Sequence, residues 1–469
     1  MGLSSNSEPF WTDTHQSKLE KTSVIVSGQQ RTSIWDAFQA GDALFEGKRR
    51  HVCLILARRN LETVCAYLGA LRSGVVPLFI NGETPIKSIE RFIEDFSPRY
   101  IFSSEPVSKL GYELVDTLGG AQLYEASIPV DAEILPELAI LQPTSGSTGD
   151  SKCVRVSYRN LDFVTGSIVS YLHLNPNRVL LSTLPFHYTF GLSILHTALF
   201  SGADIVLTEE SITSGNFWRI FADNRVTDFS GVPFQYQALS NRGFPASALK
   251  SLKFLSQAGG PLPVSEVHWW LDYCEPKAID FFVMYGQTEA SPRISYLPPA
   301  MARKKIGSVG VPIPGGSVEI SKPDSNGIGE ILYSGPNVCL GYAVSIQDLA
   351  SSDELLGKLF TGDLGRLDED GYIFLNGRSK RFVKLAGTSV GMDSMENAIK
   401  ENLNLDVAVV GRDDKLVIVV QRAYDIDTAA QILELIDAST NLMKVEFVDE
   451  LPRLDTGKLD YQFLSASYV

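Results

Sequence analysis

Residues 51–80, HVCLILARRNLETVCAYLGALRSGVVPLFI, read as a strand, a capped helix and a second strand. The run HVCLILA is apolar over the length of a strand, as expected where both faces of a sheet are covered. Asn60 can cap a helix by accepting a hydrogen bond from a first-turn N–H, and Leu61, Val64, Leu68 and Leu71 then recur at helical spacing. Gly74 marks the stop, because glycine enters the left-handed conformation that closes a helix without a side-chain penalty. VVPLFI follows as the next strand, and the pattern recurs in SIERFIEDF (88–96) and RYIFSS (99–104). This alternation predicts an α/β fold in which helices cover a parallel sheet.

The chain has 469 residues, enough for two or three domains with a sizeable core, and its 44% hydrophobic and 20% charged residues are ordinary for a globular protein. A net charge of -14 opposes sequence-independent binding to nucleic acid or anionic lipid, both of which call for a basic face. Any anion site must therefore be local. The five cysteines are scattered, with no CxxC and no histidine at metal-ligand spacing, so a reducing, cytoplasmic setting is expected. The leader MGLSSNSEPFWTDTHQSK is polar and lacks the apolar core of a secretion signal. Its first residues resemble an N-myristoylation pattern, but no polybasic patch follows. Val179 to Ala203 carries no Asp, Glu, Lys or Arg, yet Pro185, His187, Gly191, His196 and Gly202 interrupt it, which predicts a buried strand, loop and helix instead of a membrane span.

Farther along, Gly307 to Gly377 changes to short strand patterns punctuated by Gly and Pro, and is read as a small β-rich subdomain. The basic stretch RSKRFVKLAG (378–387) follows, and then MENAIKENL, VAVV, LVIVV, AAQILELI and KVEFV alternate helix and strand patterns. The expected organisation is a large N-terminal domain, 1–379, with mixed or parallel sheets covered by helices. A small, mobile α+β C-terminal domain, 380–469, would be hinged near Lys380.

Thr144 to Lys152, TSGSTGDSK, lies between the strand patterns ELAILQP and CVRVSYRNL. Its glycines permit close backbone approach to a ligand, Ser145, Ser147 and Thr148 offer hydroxyls, and Lys152 offers a compact charge, a combination suited to a triphosphate. A solvated linker has the same composition, but the flanking strands pin this loop at both ends. The spacing is not that of a P-loop, because Ser151 stands five residues after Gly146 where Gly-Lys-Ser/Thr would be required.

Five segments in order, LRSGVVPLF (71–79), LQPTSGSTGDSKCV (141–154), MYGQTEAS (284–291), TGDLGRLDEDGYIFLNGRSKRFVK (361–384) and LPRLDTGKLD (451–460), together resemble the adenylate-forming superfamily. That superfamily contains acyl- and aryl-CoA synthetases, luciferases and the adenylation domains of nonribosomal peptide synthetases. The match runs from about Ile34 to Leu464. It implies that a carboxylate attacks the α-phosphorus of ATP, releasing pyrophosphate, and that the acyl adenylate passes to coenzyme A or a carrier protein's phosphopantetheine thiol. Two anions must meet, so positive charge and Mg2+ are needed where negative charge accumulates.

By this resemblance Thr144, Ser145, Gly146, Ser147, Thr148, Gly149 and Lys152 cradle the β- and γ-phosphates. Tyr285 packs on adenine beside Gly286, Thr288 contacts the α-phosphate, and Glu289 holds Mg2+. Gly259 and Gly260, in AGGP, form the adenine-side wall. Asp363 accepts from the ribose hydroxyls and Arg378 reaches the same sugar. Lys458 inserts between carboxylate and α-phosphate during adenylation. Lys380 falls at the hinge, and Lys384 and Gly387 on the loop that enters for the second half-reaction. Taken singly, Tyr285 could be core, Glu289 a solvated turn, Asp363 a turn cap, and Arg378 or Lys458 surface charges. The sequence departs from the family pattern at Ser151, Cys153 and Ala386, where proline, glycine and a basic residue are usual.

Amino-acid-activating members place an Asp in the segment equivalent to PFHYTFGL (185–192), which here holds no carboxylate. An uncharged acyl or aryl acid is therefore expected. His187 and Tyr188 stand near the family's gating position, and Phe234, Gly260 and Met284 are expected to line the acyl pocket. Met284 is larger than the usual glycine, pointing to a small or medium acid. The alternatives are an amino-acid-activating enzyme and a nucleotide-binding relative that has lost its chemistry.

Overall fold

The computed structural model describes residues 8–107, 110–143, 152–240, 242–378, 381–385, 388–412, 415–422, 425–435, 442–454 and 457–469, with backbone alone at 382, 384, 385, 388 and 389. The opening stretch forms as its chemistry dictates. Val52–Ala57 is a strand buried at every position. Asn60 accepts from the Thr63 N–H to start the helix Leu61–Ser73, and Gly74 closes it at φ 80°. Val76–Asn81 then pairs in parallel with Val52–Ala57, from Val52↔Val76 to Ala57↔Asn81.

Among the described residues these two strands sit in an eight-stranded sheet. Its centre, Leu138–Pro143, Val76–Asn81, Val52–Ala57 and Tyr100–Ser103, is parallel, and antiparallel strands complete both edges. A second, nine-stranded sheet has a parallel centre of Asp280–Tyr285, Phe254–Gln257, Asp228–Gly231, Val179–Ser182, Asp204–Leu207 and Val24–Ser27. Helices Ile34–Leu44, Leu61–Ser73, Tyr158–Leu172 and Thr189–Ser201 lie between the two sheets, in one core holding Ile55, Phe79, Leu180, Ile205 and Phe282. The result is the expected mixed α/β architecture.

One local reading needs adjustment. The strand that follows the phosphate-loop segment ends at Ser157, and YRNL begins the helix Tyr158–Leu172. Ser157 and Asn160 cap each other's backbone there, satisfying two of the N–H groups that a helix start leaves unpaired. Val179 to Ala203 forms the strand Val179–Ser182 and the almost wholly buried helix Thr189–Ser201, as expected. Among the described residues, no helix is long and apolar enough to cross a membrane.

A four-stranded antiparallel sheet follows (Ser317–Ser321, Gly329–Ser334, Lys358–Leu367, Ile373–Arg378). Arg155 ties the eight-stranded sheet to the connection running toward it. Its wholly buried guanidinium donates to the carbonyls of Leu340, Tyr342, Ser351 and Ser352 and pairs with Glu354. Beyond residue 381, a hairpin (Phe382–Leu385, Thr388–Gly391) leads to a three-stranded sheet. Helices Met392–Leu403, Ile426–Leu435 and Tyr461–Tyr468 accompany that sheet, which has its own core around Ile399, Val409, Ile418 and Ile432.

Candidate active site

Ligands of open α/β sheets bind beyond the carboxyl ends of the parallel strands, where successive loops converge. In the nine-stranded sheet four such ends supply the expected residues. Val179–Ser182 leads to His187 and Tyr188, Asp228–Gly231 to Phe234, Phe254–Gln257 to Gly259 and Gly260, and Asp280–Tyr285 to Gly286, Thr288 and Glu289.

The last of these loops is held rigidly. Gly286 backs onto Pro292, where an added Cβ would fall 1.9 Å from the carbonyl oxygen, so no larger residue fits. Asn337, fully buried, donates to the carbonyls of Ala290 and Arg293, and the Cys339 N–H donates to Glu289 O at 2.9 Å. Thr288 is thereby presented beside Thr189, with hydroxyls 3.5 Å apart.

Tyr285 donates its hydroxyl to Asp363 Oδ2 at 2.5 Å, and Arg378 Nε stands 3.3 Å from Asp363 Oδ1. Burial pushes the Asp363 carboxyl above the usual carboxylate range, while Arg378 and the Tyr285 hydroxyl work against that rise. The Tyr342 hydroxyl donates to Glu289 Oε1 at 2.9 Å, and Lys152 Nζ lies 3.3 Å from the centre of the Tyr342 ring. Tyr342 thus links Lys152 to Glu289, a connection with no motif to announce it.

Lys458 arrives from the far end of the chain. Its turn is closed by Gly457 N–H to Leu454 O and Leu454 N–H to Lys458 O, both 2.8 Å. An added Cβ on Gly457 would stand 3.1 Å from Val232 Cγ2, and the Arg453 guanidinium lies 4.9 Å over the Phe234 ring. The turn is therefore seated on residues 232–234, and Phe234 serves it as a platform. Lys458 Nζ ends 5.1 Å from the Tyr188 ring centre. Its pKa is lowered from 10.5 to about 8, first by burial and then by repulsion from Arg378, with Glu289 and Asp363 opposing both effects.

Tyr188 is mostly buried, with its hydroxyl where any side chain at position 259 would have to go: a Cβ on Gly259, at φ 89°, would meet it at 2.3 Å. His187 is half-buried next to it. Met284 lines a cavity of about 10 Å³ together with Phe190, Ser230, Ser256 and Arg293. Phe234 and Gly260 lie outside it, Gly260 against Pro233. Thr144 to Gly149, Lys380 and Gly387 fall outside the described residues, as does the side chain of Lys384.

The structure therefore gathers Lys152, Glu289, Thr288, Tyr285, Asp363, Arg378 and Lys458 around one cleft, with Tyr188 at its side. Tyr342, Thr189, Asn337 and Arg293 are the members that sequence reasoning missed. A bound divalent cation fits Glu289: one carboxylate oxygen is taken by Tyr342, while Oε2 accepts no hydrogen bond among the described residues. Those residues contain no cluster of three or more His, Cys, Asp or Glu. A hard cation there would take most of its oxygen ligands from phosphate and water, as Mg2+ commonly does.

Residues 37–343 match the model of the AMP-binding enzyme family. The indoleacetate–CoA ligase of Aromatoleum aromaticum is 32% identical over 383 residues, covering 76% of this chain and 72% of the relative. A 2-succinylbenzoate–CoA ligase of Listeria monocytogenes is 26% identical over 94% of this chain and 95% of its own length. Among solved structures, ATP-bound MatB from Rhodopseudomonas palustris superposes with a TM-score of 0.78 at 25% identity over 98% of both chains. The o-succinylbenzoate CoA synthetase of Bacillus subtilis, bound to its acyl-adenylate intermediate, gives 0.77 at 22% identity, over 97% of this chain and 98% of that one. This chain belongs to the AMP-binding enzyme family. In reaction class it is an AMP-forming acid–thiol ligase.

Proposed function

We propose that this enzyme activates a small or medium aryl or acyl acid as its adenylate and delivers the acyl group to the thiol of coenzyme A. The observation that carries the reading is the seating of the Lys458 turn on residues 232–234, which brings an ammonium from the chain's end into the cleft of Glu289, Asp363 and Arg378.

In the first half-reaction a carboxylate oxygen bonds to the α-phosphorus and the bond to pyrophosphate breaks. Lys458 and Thr288 stabilise the charge shared between the two reactants. Asp363 receives the ribose hydroxyls, with Arg378 beside it and Tyr285 supporting the carboxylate from the other side. Lys152, steadied on Tyr342, takes the outer phosphates with Thr144–Gly149. Mg2+ held by Glu289 would neutralise charge on the phosphates. In the second half-reaction a thiol sulfur bonds to the acyl carbon and AMP leaves.

The lysine must withdraw before a thiol can reach the acyl carbon; by the family resemblance Lys380 would be the hinge between units 1–379 and 380–469, with Lys384 and Gly387 on the loop that then enters the site. Gating by a small domain suits a flexible point charge. Coenzyme A is favoured as acceptor because the relatives named above are CoA ligases, and a carrier-protein thiol is the second candidate. All five cysteines are free and buried, which suits a reducing compartment such as the cytoplasm.

The test is acid-dependent exchange of labelled pyrophosphate into ATP across a panel of carboxylic acids, followed by thioester detection with coenzyme A. Exchange with an aryl or short acyl acid, lost in Lys458→Ala, supports the reading. Exchange confined to α-amino acids, or absent with every acid, removes it.

A further inference from the structure

Arg293 is 2% exposed, on the return path from the Glu289 loop into the strand Ser295–Leu297. Among the described residues no carboxylate lies within ion-pair distance of it, and its buried Nε has no hydrogen-bond partner. Every other fully buried arginine side chain would be expected to resemble Arg155, whose guanidinium is used up on carbonyls and on Glu354. Breaking that rule is costly, because a buried charge without a counter-charge has lost its water and gained little. The face of the Phe190 ring, 4.9 Å from Arg293 Cζ, recovers part of the loss but supplies no hydrogen-bond acceptor.

The guanidinium borders the cavity that Met284, Phe190 and the Ser230–Ser256 hydroxyl pair also line, the two serine oxygens being 2.8 Å apart. Its charge is felt by Tyr188 and Tyr171, since it opposes the burial that raises both phenols. Lys458, Tyr188, Phe190 and Arg293 follow one another along one wall: 5.1 Å from ammonium to the first ring, 6.2 Å between rings, 4.9 Å from the second ring to the guanidinium. The cleft therefore has a cation at each end of an aromatic wall. One meets the carboxylate being activated, and the other stands where the far end of a bound acid would arrive.

We infer that Arg293 receives a second anionic group on the acid, so that the substrate is a small acid with an anion, most simply a carboxylate, at its distal end. The inference rests on the proposed function and deepens it. It also revises the sequence expectation of an acid uncharged beyond its reacting carboxylate. A planar guanidinium fork matches a carboxylate with two parallel hydrogen bonds; the neutral Tyr171 hydroxyl is a hydrogen-bonding neighbour of Arg293, but among the described residues no carboxylate competes for the fork. The cavity, at about 10 Å³, holds about one water, so Met284 and other lining side chains must give way to admit the anion, which favours a short acid.

The experiment measures kcat/KM for pyrophosphate exchange with matched pairs of acids, succinate against butyrate and isophthalate against benzoate, in the native enzyme, Arg293→Met and Arg293→Lys. The readout is the diacid-to-monoacid ratio, which cancels any general loss of activity. The native enzyme is expected to prefer at least one diacid by about tenfold or more, the scale of a buried charge-assisted hydrogen bond. Arg293→Met should abolish that preference, and Arg293→Lys should reduce it without reversing it. Should Arg293→Met fail to fold, an unchanged ratio in Arg293→Lys, which keeps the charge but loses the fork, would overturn the inference. Exchange with monoacids alone overturns it while leaving the proposed function standing, as does an unaltered ratio in Arg293→Met. A site that takes a neutral acceptor would show itself by preferring hydroxylated monoacids to diacids, which also overturns it. No exchange with any acid removes the proposed function and this inference together.

Discussion

Raising the pH through 8 should switch off the first half-reaction by discharging one residue. Lys458 stands beside Tyr188 with its pKa lowered from 10.5 to about 8, first by burial and then by Arg378. That fall corresponds to about 3 kcal/mol of cost for holding the ammonium charged in the cleft. The sign follows directly: below about 8 the group is charged and able to stabilise the meeting of carboxylate and α-phosphate, and above it the group is neutral. The value of kcat/KM for pyrophosphate exchange reports the free enzyme, so it should be level below the break and lose a factor of ten per pH unit above it. By pH 9.5 the rate should lie about thirtyfold below its plateau. Lys458→Ala should cost about 10²–10³ in exchange at neutral pH, as loss of one charge-stabilising donor does elsewhere, and its profile should show no break near 8. A native profile that is level to pH 9.5, or the same break in Lys458→Ala, would refute the reasoning.

Three substitutions probe other parts of the cleft and its frame. Asp363→Asn removes the charge that faces Arg378 and accepts from Tyr285, and should raise the KM for ATP by about ten- to a hundredfold with little change in the KM for the acid, measured by exchange kinetics. Gly259→Ala places a methyl 2.3 Å from the Tyr188 hydroxyl at a positive φ, so it should lower stability by about 1–3 kcal/mol and alter acid selectivity, read from thermal melts and an acid panel. Arg155→Met strands the carbonyls of residues 340–352 and leaves Glu354 unpaired; a loss of about 3 kcal/mol is expected, seen as a melting temperature several degrees lower.

How much of this was legible in the sequence depended on whether the governing interaction was local. The strand Val52–Ala57 and the helix Leu61–Ser73 were readable because an unbroken apolar run, a cap at Asn60 and a stop at Gly74 all act within a few residues. The helix beginning at Tyr158 was hidden, because the β-prone run CVRVS passes into it without a break and its capping box uses Asn160 in place of the usual Glu or Gln. In the cleft, the motif-bearing residues could be named but not assembled. Glu289 meets Tyr342 across 53 residues of chain, and Tyr285 meets Asp363 across 78. Tyr342 sits on a three-residue strand whose sequence, GYA, carries no signal. Arg293 offered a faint one: a lone charge in SPRISYL, a segment otherwise suited to burial. Phe234 was expected to line the acyl pocket, whereas its observed neighbours, Arg453 and Gly457, come from the other end of the chain.

The central claim is tested most directly by following one acid through both half-reactions by mass spectrometry. Enzyme, ATP, Mg2+ and the best acid from the exchange panel are mixed first without and then with coenzyme A. The account predicts an enzyme-bound acyl adenylate and pyrophosphate before the thiol is added, then acyl-CoA and AMP in equal amounts. Formation of ADP and phosphate, or of a thioester with no adenylate preceding it, would contradict the account.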